Sequence, residues 1–285
     1  MRILITGGNG QLGSALAKVL IKDELDLVDR PQLDLASFYA TRRHFKLYHP
    51  ELVIHCAAQT NVDYCELHPD RTYRNNVTAT RNVVNVCQRL GAALVYISTD
   101  YVFDGQSKSP YREYEPCNPV NIYGMTKYYG EQIVQQHLTR FYIVRTAWLF
   151  GDAGANFVKA MLEKIPAQKT VAVVDDQIGS PTYATDLAQA INRLIRTDAY
   201  GIYHITNSGS CSWYQFARAI AERLGEHPGK IKAITSTQLN RPAPRPQYSV
   251  LKDSFLKQFA IGMPTYQDAL DRYLQLYLAS MTPSC

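Results

Sequence analysis

Thr6-Gly7-Gly8-Asn9-Gly10-Gln11-Leu12-Gly13 follows the apolar run Ile3-Leu4-Ile5 and leads into Ser14-Ala15-Leu16, so three glycines spaced three apart stand between a strand and a helix. In a first strand-to-helix turn, glycines permit the tight backbone path, the close approach of a pyrophosphate and the packing of helix on strand. The helix N-terminus then offers unpaired N–H groups to the anion. Gly7, Gly10 and Gly13 are therefore candidate dinucleotide-binding residues. The second apolar run ends Leu27-Val28-Asp29-Arg30. An acidic residue at such a strand end bonds the adenosine ribose, and a basic one accommodates a 2′-phosphate. Asp29 points to NADH and Arg30 to NADPH, and both cofactors stay open.

Outward from this turn, short β-rich runs alternate with longer segments of helical period, the pattern of a parallel sheet wrapped by helices. Strands are predicted at residues 2–6, 25–29, 52–56, 92–98, 141–145, 170–174 and 202–205. Helices are predicted at 11–22, 37–48, 71–90, 122–137 and 183–196. The fold class is α/β, a doubly wound Rossmann-type parallel sheet over residues 1–150. A smaller α/β substrate lobe spans mainly 151–285, with some later segments returning to the sheet. Three prolines in Asn240-Arg-Pro-Ala-Pro-Arg-Pro246 forbid a helix and predict an extended loop.

Composition narrows the class without reaching a function. A chain of 285 residues can bury a sizeable core without disulfides or structural metal. The six cysteines (Cys56, Cys65, Cys87, Cys117, Cys211, Cys285) form no CxxC pair and have no histidines at zinc-ligand spacing. Reduced thiols and no metal are the expectation. The net charge of +5 is dispersed along the chain. It suits a phosphate-bearing small molecule and does not argue for nucleic acid. No stretch reaches the roughly 18–20 apolar residues of a membrane span, and the amino terminus has no signal-peptide pattern. A soluble, cytoplasmic protein is expected.

Tyr123-Gly-Met-Thr-Lys127 puts a phenol and an ammonium one helical turn apart on the same face. A ketone reduced by hydride needs a proton at its oxygen, and a free tyrosine with a pKa of about 10 holds its proton firmly. A neighbouring cation would lower that pKa, so Lys127 is expected to tune Tyr123 as general acid. With 20 tyrosines in the chain, the spacing gains its meaning from its place after the fourth strand, downstream of the glycine turn. That strand leaves the sheet as Tyr96-Ile-Ser-Thr-Asp-Tyr-Val-Phe103. Carboxyl ends of parallel strands are where ligands bind in this architecture. Either Thr99 or Ser98 supplies a hydroxyl beside Tyr123, one residue of register deciding which.

These features in this order resemble the extended short-chain dehydrogenase/reductase superfamily, and within it the chain is similar to the dTDP-4-dehydrorhamnose reductases. The resemblance rests on TGGNGQLGSAL (6–16), HCAAQTNVDYCE (55–66), STDYVFDG (98–105), NIYGMTKYYGE (121–131), RTAWLFG (145–151), NFV (156–158) and DDQIGSPT (175–182). It implies reduction of the 4-keto group of dTDP-4-dehydro-L-rhamnose by NADPH or NADH, with Thr99, Tyr123 and Lys127 catalytic. It places Gly10, Gln11 and Leu12 on the pyrophosphate, Asp34 and Leu35 at the adenine, and Ala57, Ala58, Gln59 and Thr60 along the cofactor. Tyr123 and Lys127 are also expected against the cofactor, the lysine able to hold the nicotinamide ribose. It places Thr99, Asp100, Val102, Phe103, Trp148 and Asn156 at the substrate, and Arg241 or Arg245 near the diphosphate. Homodimers are compatible with it. Some members make an acidic, metal-linked dimer contact where this chain has Ala15, so no metal is expected.

Three relatives of the same fold family are weighed against this reading. A sugar-nucleotide dehydratase commonly carries an Asp-Glu pair after the threonine, whereas Thr99-Asp100 is followed here by Tyr101. A nucleotide-sugar epimerase shares the Tyr and Lys and differs in the substrate lobe. A non-catalytic regulatory subunit resembling the methionine adenosyltransferase β subunit would bind NADP(H) without turnover, and the intact Thr99, Tyr123 and Lys127 set argues against it.

Overall fold

The computed structural model describes residues 1–281. Cys285 and the end of the expected second lobe lie outside the described residues. Five strands are β1 (Arg2–Thr6), β2 (Glu24–Val28), β3 (Leu52–His55), β4 (Ala93–Thr99) and β5 (Phe141–Thr146), and Gly201–His204 is a sixth in the same sheet. All pairings are parallel, in the order Gly201–His204, β5, β4, β3, β1, β2. The order reverses between β1 and β3, and at such a switch point the carboxyl ends of the strands open a crevice.

Period-two alternation splits the strand residues between the two faces of the sheet. Ile3, Ile5, Ile54, Val95 and Val144 pack under the helices Gln11–Val19 and Ala184–Leu194. Leu4, Val53, Leu94, Tyr96 and Ile143 pack under Phe45, Val83 and Val134 on the opposite side. The Ala184–Leu194 helix and the sixth strand thus return to the amino-terminal sheet. The run expected as one helix over 71–90 is a helix at Pro69–Tyr73, a π-helical turn at Arg74–Thr78 and a helix at Ala79–Leu90.

The strand expected at 170–174 does not join the main sheet. Val171–Val174 pairs in parallel with Ile231–Ile234 as a separate two-stranded sheet. These strands share a second core with the helices Phe157–Ala167, Trp213–Arg223 and Tyr266–Met281. The proline-rich stretch is an irregular loop, as its prolines require. Among the described residues no helix is long and apolar enough to cross a membrane.

Behind β4 and β5 lies a buried ion pair. Arg145 donates to both oxygens of Glu131, at 2.9 and 2.7 Å, and Ser98 donates to Glu131 at 2.5 Å. Glu131 is fully buried and Arg145 is 3% exposed. The pair ties the helix Ile122–His137 to the two strands. Removing one partner leaves the other charge buried and unpaired, so Glu131→Gln is expected to lower stability by about 3–5 kcal/mol. An unchanged urea midpoint for that variant would show the pair to be dispensable.

Candidate active site

A cleft of about 620 Å³ opens at the switch point. Its floor begins at the glycine turn. Gly7 has φ +71°, and a Cβ there would lie 2.9 Å from the Ala57 nitrogen; at Gly13 it would lie 2.2 Å from the Gly7 carbonyl oxygen. The turn therefore sits against β3 with no room for a side chain. Gly10 caps the Gln11–Val19 helix without a side-chain hydrogen bond, which leaves its first N–H groups directed at the cleft. The Gln11 Oε1 atom is buried there without a partner. The N–H cradle fits a pyrophosphate, and the orphan acceptor fits a hydroxyl such as a ribose's, so together they fit a dinucleotide.

The cleft is lined by Gly7, Gly10, Gln11, Leu12 and Gly13, by Asp29, Arg30, Asp34 and Leu35, and by Ala57, Ala58, Gln59 and Thr60. Asp29 accepts from the Asn9 N–H at 2.7 Å and so ties the glycine turn to the end of β2. Arg30 donates to Asn75 at 3.3 Å, and Arg74 pairs with Asp34 at 2.5 Å. The Ala57–Thr60 segment is held by Asn76, which is 1% exposed. Its Oδ1 accepts from the Gln59 N–H at 2.7 Å, while its Nδ2 donates to the Gln59 carbonyl at 3.1 Å and to the Thr126 hydroxyl at 3.0 Å. One amide thus locks the cofactor loop to the helix of Tyr123 and Lys127. Asn75 and Asn76 were not singled out in the sequence because the π-helical turn that aims them is invisible in a run of helical period.

At the other end of the cleft stand Thr99, Asp100, Tyr123 and Lys127. Asn121 caps the Ile122–His137 helix by accepting from the Gly124 N–H at 2.8 Å, so the tyrosine lies in the first turn and the lysine one turn on. The Thr99 hydroxyl donates to Asp100 Oδ1 at 3.0 Å and accepts from the Tyr101 N–H at 3.2 Å. Ser249 donates to the other Asp100 oxygen at 2.5 Å. Burial pushes the Asp100 carboxyl up to about 6, against these hydrogen bonds. Ser98 is engaged by Glu131 behind the strand, whereas the Thr99 hydroxyl bonds Asp100 on the cleft side beside Tyr123.

Burial dominates the electrostatics of Tyr123 and Lys127. Burial raises the Tyr123 phenol, a Thr99 hydrogen bond opposes that rise, and Asp100 adds to it; Lys127 does not figure among the causes. The Lys127 ammonium lies 4.0 Å from the centre of the Tyr96 ring. Burial lowers it to about 7, with Glu131 and Cys56 opposing. A desolvated ammonium of this kind stands between its charged and neutral forms near neutrality. His55, buried between the hydroxyls of Thr6 and Thr80 and lowered to about 3 by burial and by Lys127, stays neutral.

Three substrate expectations are corrected. Val102 and Phe103 are fully buried with Tyr111 and Leu251, and Phe103 stacks on Tyr111 at 4.2 Å. Val102 ends and Phe103 follows the short 3-10 turn at Asp100–Val102, which carries the chain away from the cleft. Arg245 is bound in bidentate fashion by Asp63, at 3.0 and 2.9 Å, and Arg241 approaches the same carboxylate at 3.5 Å. Asp63 lies in the Val62–Leu67 helix. The two guanidiniums fasten the proline loop to that helix instead of lining the cleft. Asn156 does line the cleft, but it caps the Phe157–Ala167 helix through Lys159 and donates to the Gly151 carbonyl.

Trp148 lines the cleft and stacks face to face on Trp213, ring centres 3.5 Å apart and planes 5° from parallel. Trp213 was missed by sequence reasoning. The signal for it was the Ser212-x-x-Gln215 capping box, which starts a helix at Trp213. Thr146, beside Thr99 in the β4–β5 register, also faces the cleft with an unpartnered buried hydroxyl.

Comparison with known proteins follows the same lines. The chain is 39% identical over 276 residues to a spore coat polysaccharide biosynthesis protein of Bacillus subtilis, covering 96% of this chain and 97% of that one. It is 40% identical over 261 residues to a dTDP-4-dehydrorhamnose reductase of Streptomyces griseus, covering 89% and 86% of the two chains. The crystal structure of a dTDP-4-dehydrorhamnose reductase from Bacillus anthracis in complex with NADP superposes with a TM-score of 0.92 at 39% identity, over 96% of this chain and 98% of that one. The model of the RmlD substrate binding domain matches residues 1–279, and the chain belongs to that family.

Proposed function

We propose that the protein reduces the 4-keto group of dTDP-4-dehydro-L-rhamnose with NADPH, giving dTDP-L-rhamnose. The observation that carries this reading is one cleft with an anion cradle at the glycine turn and Thr99, Tyr123 and Lys127 at its far end. The names of the relatives agree with it. Gly7, Gly10, Gln11 and Gly13 would hold the pyrophosphate, Arg30 at the end of β2 the 2′-phosphate, and Asp34 and Leu35 the adenine end. NADPH, when bound, supplies the hydride delivered to C4.

The residues of the chain do the rest. Tyr123, its pKa raised by burial, holds its proton at neutral pH and donates it to the oxygen at C4. Thr99 lies between Tyr123 and Asp100, so its hydroxyl can turn from the carboxylate to the phenolate left by proton transfer. Lys127, one turn along, gives a positive charge to the same end of the cleft. Trp148 presents an aromatic plane to the sugar. Five unpaired cysteines among the described residues support a reducing compartment, and we place the reaction in the cytoplasm.

The test is turnover. The protein supplied with dTDP-4-dehydro-L-rhamnose and NADPH is expected to consume reduced nicotinamide and release dTDP-L-rhamnose. Tight NADPH binding with no turnover would instead mark a regulatory subunit. The pH profile adds a second readout. Lys127 titrates at about 7 in the ligand-free protein and acts as the ammonium, so kcat/KM is expected to fall as pH rises through that value. In Lys127→Arg the falling limb should vanish, since a guanidinium keeps its proton. A limb unchanged in that variant would belong to another group.

A further inference from the structure

The block DDQIGSPT (175–182) takes no part in the hydride and proton transfers, and its glycine makes an unusual contact. A Cβ at Gly179 would lie 2.5 Å from Cε2 and 2.6 Å from Nε1 of Trp148. The backbone here is pressed against the indole itself. Trp148 has φ +45°, a left-handed conformation that L side chains rarely adopt, so its placement is imposed by its surroundings. Gly179 pairs with Cys211 in an antiparallel ladder formed by Ile178–Gly179 and Cys211–Ser212. The next residue along that second strand is Trp213, the first of its helix.

The ladder thus supplies one surface that meets the Trp148 indole, Gly179, and leads directly into the other, Trp213. Trp213 is in turn packed on Phe157 at 4.4 Å, and Phe157 stacks on Phe216 in the second core. An unbroken series of aromatic contacts runs from the cleft wall into the carboxyl-terminal core. The plane of Trp148 is set by the second core, and the glycine turn that holds the cofactor belongs to the first.

We propose that Trp213 is a positioning residue for the sugar nucleotide: through its face-to-face stack it fixes the plane that Trp148 presents to the sugar ring, with Gly179 leaving the room this requires. The assignment rests on the reading of Trp148 as the residue that meets the sugar. It separates substrate from cofactor, because neither Trp213 nor Gly179 belongs to the loops that cradle the dinucleotide.

The experiment compares Trp148→Ala, Trp213→Ala and Gly179→Ala by their KM for dTDP-4-dehydro-L-rhamnose and for NADPH. Loss of an aromatic pair is expected to raise the sugar-nucleotide KM of Trp213→Ala by about 2- to 10-fold while the NADPH KM stays unchanged. Gly179→Ala keeps both of the tryptophans in the chain, so its indole circular dichroism reports whether the stack has moved. A changed band with a raised sugar-nucleotide KM is the expected result. Should Trp213→Ala fail to fold, Trp213→Phe and Gly179→Ala carry the test. If Trp148→Ala raises the sugar-nucleotide KM and the other variants do not, the positioning role is overturned while the reductase reading stands. An unchanged indole band in Gly179→Ala overturns the placement of the ladder against Trp148. If Trp148→Ala also leaves that KM unchanged, the inference falls because Trp148 does not meet the sugar, and turnover of the unaltered protein judges reduction separately.

Discussion

Replacing Tyr123 by phenylalanine is expected to lower kcat by about 10²- to 10⁴-fold, the scale of a lost general acid. The ring is retained, so its edge contact with Tyr101, ring centres 5.9 Å apart, survives and the fold should be undisturbed. NADPH affinity should be unchanged, because the pyrophosphate cradle at Gly7–Gly13 lies at the other end of the cleft. The variant removes the phenolic O–H beside Thr99 and nothing else. Activity within a factor of about three of the parent would remove Tyr123 from the mechanism, since no lost general acid has so small an effect. A loss of NADPH binding of similar size would instead make Tyr123 a cofactor contact.

A single methyl at Gly13 is expected to act on the opposite end of the cleft. A Cβ at 2.2 Å from the Gly7 carbonyl oxygen, with the Gly8 Cα at 2.7 Å, cannot be relieved by rotating a side chain. Helix and turn must separate, and overpacking of this kind costs about 1–3 kcal/mol. If the strain falls on the cofactor-binding conformation, Gly13→Ala should weaken NADPH binding by about 5- to 150-fold. The kcat at saturating NADPH should suffer far less. Gly262→Ala is the matching control, because nothing lies within 4 Å of a Cβ there. Equal NADPH affinity in the two variants would mean that the turn does not grip the pyrophosphate.

Several parts of the site could be read directly from the chain. The glycine turn, the acidic and basic residues ending β2, and the Tyr123–Lys127 spacing all reach the cleft as expected. Each is a local feature: a turn between two elements, the end of one strand, one turn of one helix. Their geometry follows from periodicities of 2.0 and 3.6 residues and from backbone steric limits. The helix at Ile122–His137 has the boundaries that its sequence predicts, with Asn121 as its cap.

Other residues misled for an equally physical reason. Val102 and Phe103 sit two and three positions beyond Asp100, yet the short turn at Asp100–Val102 puts them in a closed apolar cluster. Arg245 sits in the loop expected for it, but its partner Asp63 is 182 residues away and already satisfies both ends of its fork. The Val171–Val174 run has strand character, which says nothing about which sheet will take it. Trp213 becomes a wall of the cleft only because Cys211 and Gly179 pair across a distance in sequence.

By itself the sequence determined the six strands of the main sheet, the dinucleotide turn and the phenol-ammonium pair, because these depend on contacts within a few residues. Tertiary structure alone decided the ionisation setting of Lys127, which burial lowers to about 7 against the opposing effect of Glu131 and Cys56. It also decided the pairing of Arg245 with Asp63 and the stacking of Trp148 on Trp213. Desolvation and partner choice are properties of the packed chain, so no local pattern encodes them.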